Sequence, residues 1–136
     1  MNNKVNNKMK QQYRWRDRRV AKQGPFLTLV LSQDELDHAL RGMTKERITF
    51  PVTGALCTTL THDKTNELCA IVSVSQNARD NCNAIEMAGL LIHEAVHVWQ
   101  RHAEHMGETR PGDEQEAYAV QGISQELMAE YARRMA

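Results

Sequence analysis

Between Asn83 and His105 apolar residues recur at helical spacing (Ala88, Leu91, Ile92, Ala95, Val98, Trp99), and His93-Glu94-Ala95-Val96-His97 is set into that run. No other feature constrains the fold as much. The period demands one long helix with a wide buried stripe. Asn81 or Asn83 can open it as an N-cap and Gly107 can close it. Residues four apart stack on one helix face, so His93 and His97 form a pair one turn apart. Two imidazoles so placed can each give a ring nitrogen to a single tetrahedral zinc ion. Glu94 lies about 100° round the helix from His93, where its carboxylate can reach a water on that ion as a general base. Polar groups beside a core face are costly without a partner, and a metal is such a partner.

A catalytic zinc usually takes three protein ligands and keeps one position open. The extended motif with a third histidine is absent, since Gln100 and Ala103 occupy its positions. His102 points elsewhere, and His105 is two turns, roughly 12 Å, beyond His97; both read as solvated helix-end residues. The better source lies downstream. Pro111-Gly112 breaks the chain, Asp113 can cap, and acidic residues crowd the next turn, so a second helix starts here. Its apolar stripe runs Val120, Ile123, Leu127 and Tyr131, and Glu116 heads it. A carboxylate in that place needs a counter-charge. Glu116 is therefore the candidate third ligand beside His93 and His97. Glu114 is the competitor, projecting toward the more polar side of Tyr118 and Gln121.

His93-Glu-Ala-Val-His-Val-Trp-Gln100, followed by Glu114-Gln-Glu-Ala-Tyr-Ala-Val-Gln121, resembles the gluzincin branch of zinc metallopeptidases. The likeness is greatest to the minimal zincin domains of phage-encoded and mobile-element proteins, and extends to antirepressor-type and SprT-like peptidases. It spans roughly residues 50 to 131. It implies an α+β zincin-like domain, with a small mixed or antiparallel sheet, a zinc-binding helix and a Glu-bearing C-terminal helix. It also implies an edge strand, between residues 55 and 75, that pairs with an extended protein or peptide substrate. Many gluzincins carry an Asp four residues after the ligand Glu; here Val120 follows Glu116 and Tyr118 follows Glu114. No residue stands out as an oxyanion donor: Tyr118 points away from Glu116, Tyr131 lies far along the helix, and His62 falls in a loop.

A chain of 136 residues is one domain able to bury a core without staples. Cys57, Cys69 and Cys82 are odd in number and lack C-x-x-C spacing, which reads as reduced thiols in a cytoplasmic protein. A hairpin turning at Asp63 would set Cys57 opposite Cys69, and a disulfide there is the alternative. The basic N-terminus has no apolar core of a signal peptide, and no run is long enough to span a membrane. Charge divides the chain at residue 22. Residues 1–22 hold eight Lys/Arg against Asp17, a balance of +7, and residues 23–136 balance at −7. The first segment reads as a partly disordered arm, helical from Gln11 onward at most, that settles on its own acidic domain. Nucleic-acid contact through Arg14, Arg16, Arg18 and Arg19, with Tyr13 and Trp15 interleaved, is the alternative.

The remaining elements follow from local signals. Phe26–Leu31 reads as a strand, Ser32–Glu35 as a capping box opening a helix over Gln33–Arg41, and Gly42 as its stop. Ala55–Thr61 and Glu67–Ser75 read as strands around the loop 62–66. Gly89, a turn before His93, marks either close backbone approach near the metal or simple tolerance. Three functions remain: a zinc peptidase with Glu94 as general base, a nucleic-acid-associated protease using the arm, and a non-enzymatic zinc-binding assembly or regulatory module.

Overall fold

The computed structural model describes residues 12–17 and 24–136. Strand β1 (Phe26–Val30) runs into Ser32, whose hydroxyl accepts from the Glu35 amide (3.1 Å) and opens helix α1 (Gln33–Leu40). Only this half of the expected capping box forms. The Glu35 carboxylate accepts instead from the Leu31 amide (2.9 Å) and from both terminal nitrogens of Arg134 (2.9 and 2.6 Å). The helix stops at Leu40, with Arg41 as its C-cap and Gly42 at φ +82°.

Strands β2 (Ala55–Thr61) and β3 (Leu68–Val74) form an antiparallel hairpin, and β1 adds to the far side of β3 in parallel, giving the order β1-β3-β2. The fold is thus α+β with a mixed three-stranded sheet. The register places Leu60 opposite Cys69 and Cys57 opposite Val72, which corrects the Cys57–Cys69 alignment. The loop is one residue longer than expected. The His62 amide donates to the Glu67 carbonyl (2.9 Å) and the Asn66 amide to that of His62 (2.8 Å), with Asn66 at φ 56°. The hairpin therefore pivots between Lys64 and Thr65 rather than at Asp63. None of Cys57, Cys69 and Cys82 is in a disulfide.

Helix α2 (Gln76–Asn81) was not foreseen; the Ser75 hydroxyl caps it by accepting from the Ala78 amide (3.0 Å). Helix α3 (Ala84–His105) opens at Asn83 with a reciprocal capping box: Glu86 amide to Asn83 side chain (2.8 Å), Asn83 amide to Glu86 carboxylate (3.0 Å). At its other end the Glu108 amide bonds the Ala103 carbonyl (2.9 Å) and the Gly107 amide that of Glu104 (3.0 Å), a Schellman closure with Gly107 at φ +76°. Helix α4 (Asp113–Met135) has Gly112 as N-cap. Asp113 is its first helical residue, not the expected cap, and with Glu114 and Glu116 it complements the positive helix end.

Strand alternation sorts the core into two layers. Leu27, Leu29, Ala70, Val72 and Val74 face α3 and α4, where Leu91, Ala95, Val98, Trp99, Ile123 and Leu127 are buried. Val30 and Ile71 face Leu36, Ala39 and Leu40 of α1. Each fully buried Leu or Val contributes about 1.5–3 kcal/mol relative to exposure. Val120 and Tyr131 of the predicted α4 stripe are half-buried against the first layer.

The two edges of the sheet differ. Residues 12–17 contain no helix and run beside β1, with the Arg16 amide on the Leu27 carbonyl (2.7 Å) and the Thr28 hydroxyl on that of Arg14 (2.6 Å). Among the described residues no strand pairs with the outer edge of β2. No helix among them is long and apolar enough to cross a membrane.

Candidate metal centre

α3 presents its histidines and hides its glutamate. His93 and His97 are exposed, while Glu94 is 4% exposed and faces the sheet. The two Nε2 atoms lie 3.1 Å apart, with ring centroids at 4.8 Å. The pair passes a simple fit test for zinc. Bonds of ~2.0–2.1 Å to two nitrogens at that separation close an angle of about 100° at the ion, near tetrahedral. Burial raises the pKa of Glu94, and the neighbouring His93 and His97 pull it partway back. A carboxylate so tuned is a better proton acceptor than one in water.

Glu116 stands apart from this pair. It is exposed on the first turn of α4, as is Glu114. Among the described residues, no three His, Cys, Asp or Glu side chains gather into a group able to hold a metal. The reason lies in how α4 docks. Gln115, Tyr118 and Ala119 share a groove with Trp99, His102 and Met106 of α3. Trp99 is only two residues after His97, yet about 200° round the helix. α4 thus packs on the flank of α3 turned away from the histidine face. The stripe headed by Glu116 was legible in the sequence, but the flank it would choose was not.

The other candidates are occupied elsewhere. His102 is half-buried and tilted on Trp99 at 6.1 Å, and His105 is exposed at the helix end. His62 shapes the hairpin turn, its Nδ1 accepting from the Lys64 amide (3.2 Å). Tyr118 is 69% exposed on the Trp99 groove, and Tyr131 packs against the core. An added Cβ at Gly89 meets nothing within 4 Å, so no close backbone approach demands glycine there.

Sequence reasoning missed what surrounds the pair. A trough runs between α3 and the open edge of β2. Gly54 and Ala55 face Gly89, Leu90 and His93 at one end, and Cys57 and Thr59 face His97 and Arg101 at the other. Cys57 could be found only from the hairpin register. Arg101 sits one turn past His97, but a lone arginine on a helix carries no signal. The Cys57 thiol is pushed up to about 12, chiefly by burial, then by the charge of Glu94, with Arg101 opposing.

The described part of the basic arm is engaged with the domain. Arg14 pairs with Glu130 at 2.7 Å and Arg16 with Glu126 at 2.8 Å. Tyr13 bonds His38, and Trp15 packs on the α1 layer. Arg18, Arg19 and residues 1–11 lie outside the described residues. Compared with known proteins, the chain matches no family model, no curated protein and no solved structure.

Proposed function

We propose that this chain is a zinc-dependent peptidase acting on an extended segment of protein. The observation that carries the reading is the convergence of the His93 and His97 nitrogens beside a buried Glu94, along an unpaired strand edge. His93 and His97 would hold the ion, and Glu116, with Glu114 as the competitor, would complete the set by a shift of the first turn of α4 toward the histidine face, away from where it now docks. Zinc, when bound, supplies Lewis acidity and makes water a nucleophile at neutral pH.

The chain's own groups do the rest. Among the described residues no strand pairs with the outer edge of β2, so an extended peptide can add there as a fourth strand. That pairing holds a peptide carbonyl over the histidine face in fixed register. Glu94 takes a proton from the attacking water and delivers it to the leaving amine, acting as base and then acid. Its raised pKa favours the first half, because a carboxylate so buried is a stronger base than one in water.

Metal analysis and peptide hydrolysis on a small set of variants test this. Wild type should carry about one zinc per chain, a single catalytic site. His97→Ala and Glu116→Ala should lose it. Glu94→Gln should keep the metal and lose hydrolysis by at least about 100-fold, the range of a general base. Intact hydrolysis in Glu94→Gln would sink the mechanism. Zinc retained in Glu116→Ala but lost in His97→Ala would move the third ligand elsewhere.

A further inference from the structure

The trough beside the histidines is electrically lopsided. The only cation lining it, among the described residues, is Arg101, at the end where β2 reaches Thr59. Near the Gly54 end the acids are Glu94, buried against the sheet, and Glu86, whose carboxylate is already held by the Asn83 amide (3.0 Å). Arg101 has a partner of its own in Glu104, at 2.9 and 3.1 Å. Both members are more than half exposed, and an open pair three residues apart on a helix is weak and readily exchanged. A guanidinium offers a planar fork matched to a carboxylate. Arg101 follows His97 by four residues, so it stands one turn, about 6 Å, further along the same face.

We propose that Arg101 is a specificity residue that clamps a carboxylate of the substrate, so that the preferred substrates are acidic peptides. The proposal rests on the peptidase reading above. The direction of the chains says where the acid sits. β2 and α3 run the same way along the trough: Gly54 and Ala55 lie by Gly89 to His93, and Cys57 and Thr59 lie by His97 and Arg101. A peptide pairing antiparallel with β2, the commoner arrangement, passes its N-terminal part by Arg101 and its C-terminal part by Gly89. The clamped group is then an Asp or Glu side chain on the N-terminal side of the bond that breaks. A free C-terminal carboxylate offers the same chemistry, but reaches Arg101 only if the peptide runs parallel to β2.

The test uses zinc-loaded wild type, Arg101→Ala and Arg101→Lys on two random-sequence peptide libraries, one blocked at both ends and one with free C termini. Cleavage sites are read by mass spectrometry, and zinc content is measured on each protein. Expected is an enrichment of Asp or Glu of about tenfold at one position N-terminal to the cut, equivalent to one charge-assisted contact. It should be present in the blocked library, lost in Arg101→Ala and partly kept in Arg101→Lys, with zinc unchanged throughout. Cleavage confined to the last residues of the free library, and lost in Arg101→Ala, would keep the clamp but overturn the antiparallel placement. Cleavage without acidic preference, or a preference untouched by Arg101→Ala, would overturn the clamp and leave the peptidase reading standing. Bound zinc with no cleavage of either library would overturn both.

Discussion

At the scale of single residues, one helical turn separates three environments. His93 and His97 stand in solvent with their nitrogens 3.1 Å apart, and Glu94 between them is turned into the protein against β2. A turn of sequence can do this because successive side chains leave a helix about 100° apart. The same burial governs Cys57, whose pKa of about 12 keeps it a thiol at neutral pH. Alkylation of metal-free protein at pH 8 should therefore leave Cys57 nearly unmodified while unfolded protein reacts fully. Glu94→Gln should speed the Cys57 reaction, because a charge that raises its pKa has gone. Peptide mapping of the labelled sites reads both outcomes. The histidine pair was legible in the sequence because i,i+4 spacing is local. Cys57 and Arg101 were not, since their places depend on a strand register and a helix–sheet contact formed far along the chain.

At the scale of elements, the ends of α3 were written in the sequence as an asparagine N-cap and a glycine stop; the cap forms at Asn83, with the Glu86 carboxylate completing a box that the sequence reading left out. Gly107 at φ +76° closes the helix with two amide bonds, so Gly107→Ala should cost about 1 kcal/mol, the penalty for a Cβ in the left-handed region. Gly89 is the opposite case. It lies mid-helix, in ordinary helical backbone and with open space around it, so Gly89→Ala should stabilise by about 0.5–1 kcal/mol. Thermal melts of the two variants should move in opposite directions. α2 escaped sequence reading because six residues are too few to show a period. The start of α4 was visible, but its cap was misread: Pro-Gly ahead of three acids marks the same place whether Gly112 or Asp113 takes the N-cap.

At the scale of the whole molecule, four arginines tie residues 12–17 and helix α1 to the C-terminal helix. Glu130 receives both Arg14 and Arg133, Glu126 receives Arg16, and Glu35 on α1 holds Arg134 near the C terminus. Burial alone would raise the pKa of Glu130; hydrogen bonds from Arg133 and Arg14 outweigh it and hold the carboxyl below its usual 4.5. A depressed acid contributes stability that is present above the unfolded value and lost as pH falls through the folded one. Acid titration of the melting temperature should therefore fall below pH 4.5, and Glu130→Gln should be less stable than wild type at pH 7 and converge with it as the pH falls through the lowered folded value. Arg134 is nearly buried, and Arg134→Ala should cost about 2 kcal/mol by leaving Glu35 with the Leu31 amide alone. The charge division at residue 22 was plain in the sequence, but which acids receive Arg14 and Arg16 follows only from packing. The same segment that carries those arginines lies along β1, and among the described residues no strand covers the outer border of β2. An unfolded strand drifting over the described part of this protein would meet main-chain groups left open to it along β2. On the peptidase reading, the search for a partner and the search for the reactive point would be one event, because a polypeptide captured there would already lie across the two imidazoles.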